Sequence, residues 1–206
     1  MSVRSKLCIF VAGLLVLDQV VKIWIKTHMM IGDEFNVFGD WFKIHFIENN
    51  GMAFGMGAEN GQTGKILLSI FRIGAVAAIG WYISRLVKEK APTGVIFSFV
   101  LIFCGAVGNI LDSMFYGLLF NDSHMQVASF LPEGGGYAPF LQGKVVDMLY
   151  FPLFSGYLPE WVPFWGNEYF EFFRPVFNLA DSYITVGVIL LILFYRSFFS
   201  SKKLKG

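Results

Sequence analysis

The chain has few of the residues that build disulfide frameworks or metal centres. It contains two cysteines and three histidines. Cys8 and Cys104 both lie in apolar stretches, where cysteine usually behaves as a small buried hydrophobic residue. His28, His45 and His124 are too far apart along the chain for metal-ligand spacing. The sequence therefore predicts no metal site and no cofactor.

Charged residues are also scarce. They make up 15% of the chain, against about a quarter of a typical soluble domain. Hydrophobic residues make up 55%, and the 24 phenylalanines and five tryptophans suit contact with lipid and anchoring at its surface. No basic patch, coiled coil, repeat or low-complexity segment is present. These features predict a membrane protein that does not bind nucleic acid.

Four hydrophobic segments are long enough to cross a bilayer with some tilt. Their approximate bounds are 6–26, 66–86, 94–115 and 180–199. We interpret residues 1–206 as a single integral membrane domain. The predicted fold class is an all-α membrane bundle of four transmembrane helices with a small extracytoplasmic β-sheet and an aromatic flap or loop.

Lysine and arginine predict the orientation of this bundle. Nine of the 16 basic residues lie in the N-terminal tail, in the loop after the second span and at the C-terminus. The positive-inside rule then makes both termini cytoplasmic. The outer segments 27–65 and 116–177 face outward, and they hold most of the acidic residues.

The outer segments contain patterns typical of β-structure. Residues 35–48 predict two strands joined by a Gly-Asp turn, and residues 143–151 predict another strand. Such strands cannot lie open in lipid, so we expect a small sheet over the mouth of the bundle. Residues 120–142 and 152–176 are predicted loops. The aromatic residues of the second loop favour either a flap or short helix at the membrane interface, or a belt that only anchors.

The predicted spans carry charges that a lipid-facing helix excludes. The first span holds Asp18 and Lys22, the third holds Asp112 and the fourth begins near Asp181. Counted from the cytoplasmic ends at ~1.5 Å per residue, these three acids lie about 18, 27 and 22 Å into a core ~30 Å thick. Acids at one depth on three helices are typical of one working site near the outer face.

Three of the polar motifs also have a purely structural interpretation. For Asp18 and Lys22, at i and i+4, this interpretation is a pair that neutralises itself and fixes helix packing. The motif NNGMAFG, at 49–55, is compatible with an ordinary turn after a strand. The motif GAVGNILD, at 105–112, favours close helix packing, with Asn109 on the same face as the final acid.

Two further motifs supply a candidate pair of acids. In FNLAD, Asn178 fits a helix N-cap and Asp181 fits the first turn, where the helix dipole favours a negative charge. In VVD, Asp147 lies on a strand that leads back to the membrane, although an edge-strand acid that limits aggregation gives the same pattern. One carboxylate raises the pKa of its neighbour, which is the asymmetry that an acid–base pair needs.

In this order, DQxxK, NNGMAFG, GAVGNxxD, VVDM and FNLAD resemble the motifs of the type II, or prolipoprotein, signal peptidase family. The resemblance implies an aspartic endopeptidase of the bacterial inner membrane, which cuts signal peptides from diacylglyceryl-modified prolipoproteins before the lipidated Cys. It implies Asp147 and Asp181 as the catalytic pair. The positions that resemble supporting or substrate-binding residues are Asp18, Lys22, Asn49, Gly51, Asn109, Asp112, Asn178 and Ala180.

The chain departs from the family pattern on one side of the site. Ser113 stands where the family usually has arginine, and the following stretch, 116–146, is long. We hypothesise that Arg174, four residues before Asn178, supplies the missing guanidinium. The alternative is that Arg174 anchors the chain at the interface.

The expected partners are diacylated prolipoproteins and membrane lipids, and the chain is expected to be a monomer. The residues alone leave two other functions open. A small proton-coupled transporter would use the intramembrane acids as a relay, but it needs polar residues across the whole membrane and usually a repeat. A membrane assembly factor would tolerate the loss of both Asp147 and Asp181.

Overall fold

The computed structural model describes residues 3–50, 61–172, 174–196 and 198. The helices, in chain order, are α1 (Val3–His28), α2 (Gly61–Lys88), α3 (Thr93–Leu111), the single turn α4 (Gly117–Leu119) and α5 (Leu179–Phe194). Within these described residues, three helical segments are long and apolar enough to cross a membrane: Ser5–His28, Gly64–Lys88 and Thr93–Leu119. The helix α3 is central, because it contacts α1, α2 and α5.

The fourth predicted span is shorter than expected. Its helix α5 is apolar but has 16 residues, which cover about 24 Å at 1.5 Å per residue. The helix α5 ends at Phe194, because Tyr195 leaves the helical conformation with φ −121° and ψ 14°. Residues 196 and 198 are again helical. Residue 199 itself lies outside the described part of the chain.

The C-terminal end of the third span is irregular. A π-helix, Asp112–Tyr116, separates α3 from α4. π-Helical turns are rare in proteins, and those that occur are often found at functional sites. Here the π-helix begins at one of the acids that the sequence places in the membrane, and both Asp112 and Tyr116 are buried.

Small residues allow α3 and α5 to approach closely, as the motif at 105–112 predicts. A Cβ atom on Gly105 would lie 2.1 Å from the backbone oxygen of Ala180, and one on Gly108 would lie 2.7 Å from Asp18 Oδ2. The backbone of Ala180 leaves no room for a Cβ atom at Gly105, and a Cβ atom at Gly108 would displace the Asp18 carboxylate. The packing brings the start of α5 next to the middle of α1 and the end of α3.

A four-stranded antiparallel sheet packs against α1 and the π-helix through one of its strands. Its strands are β1 (Glu34–Phe38), β2 (Phe42–Asn49), β3 (Val145–Tyr150) and β6 (Val176–Phe177), in that spatial order. The predicted hairpin is confirmed, with its turn at Gly39, where φ is +51°. The predicted strand at 143–151 is also confirmed, and it pairs with β2 and β6. The predicted fold class, apolar helices with a small sheet, is therefore confirmed.

The prediction of a loop or short helix throughout 152–176 is wrong. This stretch forms a separate hairpin of β4 (Phe154–Tyr157) and β5 (Tyr169–Phe172), followed by β6. Its prolines favour a loop, whereas cross-strand pairing stabilises the strands, with the rings of Phe154 and Phe172 stacked 4.7 Å apart. The hairpin tip is strongly apolar at its surface, since Phe164 is 94% exposed and Trp161 is 81% exposed.

One hydrophobic cluster fastens the sheet to the bundle. Its buried members include Ile25 of α1, Phe46 of β2, Tyr116 of the π-helix, Val146 of β3, and Phe120, which directly follows α4. Residues 120–142 form a loop, as predicted, with an isolated bridge between Phe120 and Phe130. The cluster fixes where β3 lies against α1, and therefore where the side chain after Val146 is presented.

Candidate active site

The polar residues predicted from the spans lie together, centred on one lysine. Lys22 Nζ is 3.1 Å from Asp18 Oδ2 and 2.8 Å from Asp112 Oδ2, and none of the three side chains is more than 1% exposed. The ammonium also donates to Asn109 Oδ1 at 2.9 Å. The predicted i,i+4 pair is therefore one half of a three-residue ion cluster.

The two acids around Lys22 also hold backbone groups. Asp18 Oδ1 accepts a hydrogen bond from Ala180 N at 3.0 Å, and Asp112 Oδ2 accepts one from Val146 N at 3.3 Å. Ala180 directly precedes Asp181, and Val146 directly precedes Asp147. The ion cluster thus fixes the chain immediately before each acid of the candidate pair.

Sequence analysis missed Gln19, which joins the same cluster. Its Nε2 donates to Asp112 Oδ1 at 2.9 Å and to Asp18 Oδ2 at 3.1 Å, and its Oε1 accepts from Tyr116 Oη at 3.2 Å. The signal was its place directly after an intramembrane acid. Tyr116 gave no signal, because its position depends on the π-helix.

Two asparagines link Lys22 to the candidate pair. Asn109 Nδ2 donates to Asp181 Oδ1 at 2.8 Å. Asn178 Nδ2 donates to Asp147 Oδ1 at 2.6 Å and to Asn109 Oδ1 at 3.1 Å. Asp147 and Asp181 are therefore held by one connected set of amides, although they lie on different elements.

The start of α5 has the N-cap that the sequence predicts. Asn178 Oδ1 accepts a hydrogen bond from Asp181 N at 2.9 Å, and Asp181 Oδ2 accepts one from Asn178 N at 3.4 Å, which is a capping box. Asn178 is fully buried. The capping function and the link to Asp147 therefore coexist in one side chain.

Asp147 is an interior acid, so its interpretation as a solvated edge-strand acid is wrong. Asp147 is only 2% exposed, and its strand β3 has a partner strand on each side. Burial raises the pKa of Asp147 to about 7, and the charge of Asp181 adds to this rise. Hydrogen bonds from Asn178 and from Asn49, whose Nδ2 is 3.2 Å from Asp147 Oδ2, oppose it. Near neutral pH this carboxyl group can both hold and release a proton.

The remaining predicted residues lie around this centre or outside the described residues. Gly51 falls in the undescribed range 51–60. Ser113 is buried in the π-helix, and its hydroxyl donates to Asn109 O of α3 at 3.1 Å. Arg174 is exposed and lies between β5 and β6. A second basic residue, Arg72 of α2, is half-buried and interacts electrostatically with Asp181.

The fold and the site define a class: a helical membrane protein in which a small sheet and three helices enclose a carboxylate–amide cluster. The model of the family Signal peptidase (SPase) II matches residues 10–198. The chain therefore belongs to the signal peptidase II family and is a membrane-embedded protease.

Named relatives and solved structures agree with this membership. The lipoprotein signal peptidase of Porphyromonas gingivalis is 51% identical over 183 residues, which are 88% of this chain and 79% of that protein. The lipoprotein signal peptidase of Amoebophilus asiaticus is 41% identical over 88% of this chain and 74% of its own length. A bacterial membrane enzyme solved by the in meso method at 1.9 Å is 27% identical, with a TM-score of 0.59, over 92% of this chain and 91% of that one.

Proposed function

We propose that the chain is an aspartic endopeptidase that removes the signal peptide from diacylglyceryl-modified prolipoproteins and cuts before the lipidated Cys. The family and the names of the relatives support the substrate class. One observation carries the aspartic mechanism: Asn178 binds Asp147 directly and shares a capping box with Asp181. The two carboxyl groups thus share one rigid frame.

The proposed mechanism assigns different roles to the two acids. Carboxylates this closely coupled do not both ionise readily, and the environment of Asp147 favours its protonated form. Asp181 lies in the first turn of α5, and its Oδ1 accepts a hydrogen bond from Asn109 Nδ2 at 2.8 Å, so hydrogen-bond donors face this carboxyl group. We assign Asp181 as the base that takes a proton from water. Asp147 polarises the scissile carbonyl and then protonates the leaving amine.

The location of the pair suits a lipid-modified substrate. The acyl chains of the lipidated Cys stay in the bilayer, which keeps the preceding peptide bond near the membrane surface. Asp147 lies on the sheet and Asp181 at the adjacent end of α5. The exposed aromatic residues of the β4–β5 hairpin fit either a flap over this site or an interfacial anchor. In this proposal the enzyme acts as a monomer with prolipoproteins and membrane lipids as its partners.

Incubation of the purified protein with a diacylated precursor peptide tests the function directly. Release of the signal segment, with the cut immediately before the lipidated Cys, is expected. The same peptide without the diacylglyceryl group is the matched control and should be cut poorly. A protein that cuts neither peptide would favour an assembly factor or a transporter. Of these two, a transporter fits less well, because it needs polar residues across the whole membrane.

We further propose an inner-membrane location with both termini cytoplasmic and the site near the outer face. The distribution of basic residues supports this orientation. Reporter fusions at Lys90 and after Lys205 are expected to report the cytoplasm, and fusions within 120–140 the opposite side. An outside signal at Lys90 would contradict the proposed orientation and would place the site near the cytoplasmic face.

The position of the family arginine gives another prediction. If Arg174 replaces it, Arg174→Lys reduces turnover at least about tenfold, or about 1.4 kcal/mol in the barrier, because lysine lacks the planar fork of donors. Membrane insertion should be unchanged. Arg85→Lys, at an exposed arginine on α2, is the matched control.

The same assay distinguishes Arg174 from the second basic candidate. Near-wild-type cleavage by Arg174→Lys would leave that residue as an anchor. A loss confined to Arg72→Lys would instead assign the guanidinium to α2, where Arg72 interacts with Asp181.

A further inference from the structure

A second buried charge cluster lies next to the candidate active site and has no role in the proposed chemistry. Lys26, in the last turn of α1, forms an ion pair with Glu48 of β2, and the two side chains are 0% and 3% exposed. Lys144 Nζ lies 2.9 Å from the other carboxylate oxygen of Glu48. Ser123 Oγ bridges the pair, 2.8 Å from Lys26 Nζ and 3.1 Å from Glu48 Oε1.

The long stretch at 116–146 closes this cluster. Besides Ser123, it supplies Tyr137, whose ring centroid is 5.0 Å from Lys26 Nζ and 5.2 Å from Lys144 Nζ. Tyr137 Oη also accepts a hydrogen bond from Lys144 N at 2.7 Å. The ring of Phe120 lies 5.5 Å from the Lys26 ammonium on another side. Both ammonium groups are thus held against aromatic faces, which attract cations.

The cluster holds the strand ends that carry two site residues. Glu48 is the register partner of Val146, and the next pair in the ladder is Asn49 with Val145. Asn49 follows Glu48, and its amide donates to Asp147. Neighbouring strand residues point to opposite faces, so the charge cluster holds β2 on the face away from the Asn49 side chain.

A buried ion pair contributes little net stability, because desolvation largely offsets the attraction. It does restrict geometry, since few arrangements satisfy both the ammonium and the carboxylate. On β3, Val146 is already held by Asp112 of the π-helix. On β2, the Glu48 cluster supplies the corresponding restraint.

We propose that Glu48, held by Lys26, Lys144 and Ser123, is a positioning residue that fixes β2 against β3 and so sets the Asn49–Asp147 contact. The inference rests on the proposed catalytic role of Asp147. It also gives the 116–146 stretch a function, because Ser123 completes the cluster.

Glu48→Gln tests the proposal in the full-length protein with the diacylated precursor peptide. We expect kcat to fall about tenfold, because small misplacements of reacting groups are costly, with KM within about twofold. The alkaline limb of the kcat–pH profile should move to higher pH, because a weaker bond from Asn49 favours the protonated form of Asp147. The other charged groups that act on Asp147, which are Asp181 and Lys22, are unchanged in this variant.

Glu34→Gln is the matched control. It makes the same chemical change on the same sheet, at an exposed pair in which Lys43 Nζ lies 2.9 Å from Glu34 Oε1. Exposed pairs contribute little, so kcat and the pH profile should not change. Hydrogen exchange gives a readout that is independent of cleavage. The amides of Val145–Tyr150 should exchange faster in Glu48→Gln and at the wild-type rate in Glu34→Gln.

Ser123→Ala covers the case in which Glu48→Gln does not fold, because it removes a link without leaving a charge unpaired. A smaller change in the same direction is expected. Unchanged kcat, pH profile and exchange in the folded variants would overturn the positioning role. A lower folded yield with unchanged kcat per folded molecule would overturn it as well. A wild-type protein that does not cleave the peptide would instead refute the proposed function.

Discussion

Replacing either Asp147 or Asp181 with asparagine is expected to abolish cleavage of the diacylated precursor, with a loss on the order of 10⁴-fold or more. Asparagine keeps the shape and most hydrogen bonds of each side chain but cannot hold or release the proton. The two acids act as one unit, so the double variant should be little worse than either single variant. Turnover per folded molecule is the quantity to measure.

Asp40→Asn is the matched control for this pair. It makes the same replacement at an exposed acid in the β1–β2 turn, where the carboxylate accepts a bond from Asn36. Its turnover should equal that of the wild type. A chelator should also leave turnover unchanged, because the proposed chemistry uses two carboxyl groups and water. Near-normal turnover in Asp147→Asn or in Asp181→Asn would refute the aspartic mechanism.

Lys22→Met should produce the largest loss of stability. Lys22 is fully buried and pairs with both Asp18 and Asp112, so its removal leaves two buried carboxylates without their cation. Breaking a buried ion pair from one side commonly lowers the free energy of unfolding by about 3–5 kcal/mol. Folded yield and the midpoint of thermal unfolding measure this loss.

Removing Asp18 together with Lys22 should be less harmful than removing Lys22 alone. The double variant Asp18→Asn with Lys22→Met leaves fewer uncompensated charges, so it should recover part of the stability lost in Lys22→Met. Asp18→Asn alone should lower folded yield at least as much as turnover per folded molecule. Lys43→Met, at an exposed ion pair, is the control and should change stability by less than about 1 kcal/mol. A fully folded but inactive Asp18→Asn protein would indicate a direct catalytic role.

The sequence predicts much of the bundle and most of the polar centre, because charged residues inside apolar spans are rare and demand an explanation. Asp18, Lys22 and Asp112 each stand out in an apolar segment, and the structure brings them within hydrogen-bonding distance. Asn178 was predictable as a helix cap from its place before Asp181. Each of these inferences follows from a short segment of the sequence and does not require knowing how an irregular loop packs.

The Glu48 cluster could not be predicted, because neither Lys26 nor Glu48 stands out in its own segment of the sequence. Lys26 at the end of a span resembles an interfacial lysine whose charge reaches water, and Glu48 resembles a polar residue on a half-exposed strand. Their burial depends on Ser123 and Tyr137, which lie in a loop without periodicity. The β4–β5 hairpin was missed similarly, since its strands of four residues lie among prolines.

The capping box at the start of α5 also bears on the order in which the protein is made. Asn178 and Asp181 lie at the start of α5, so a nascent chain that reaches the end of the π-helix already holds Asp18, Lys22 and Asp112. Lys22 can pair with both acids before α5 emerges. On the proposed assignment, the second acid arrives only with α5, at the end of translation. A chain interrupted before α5 would therefore lack Asp181 and, on the proposed assignment, would have no protease activity.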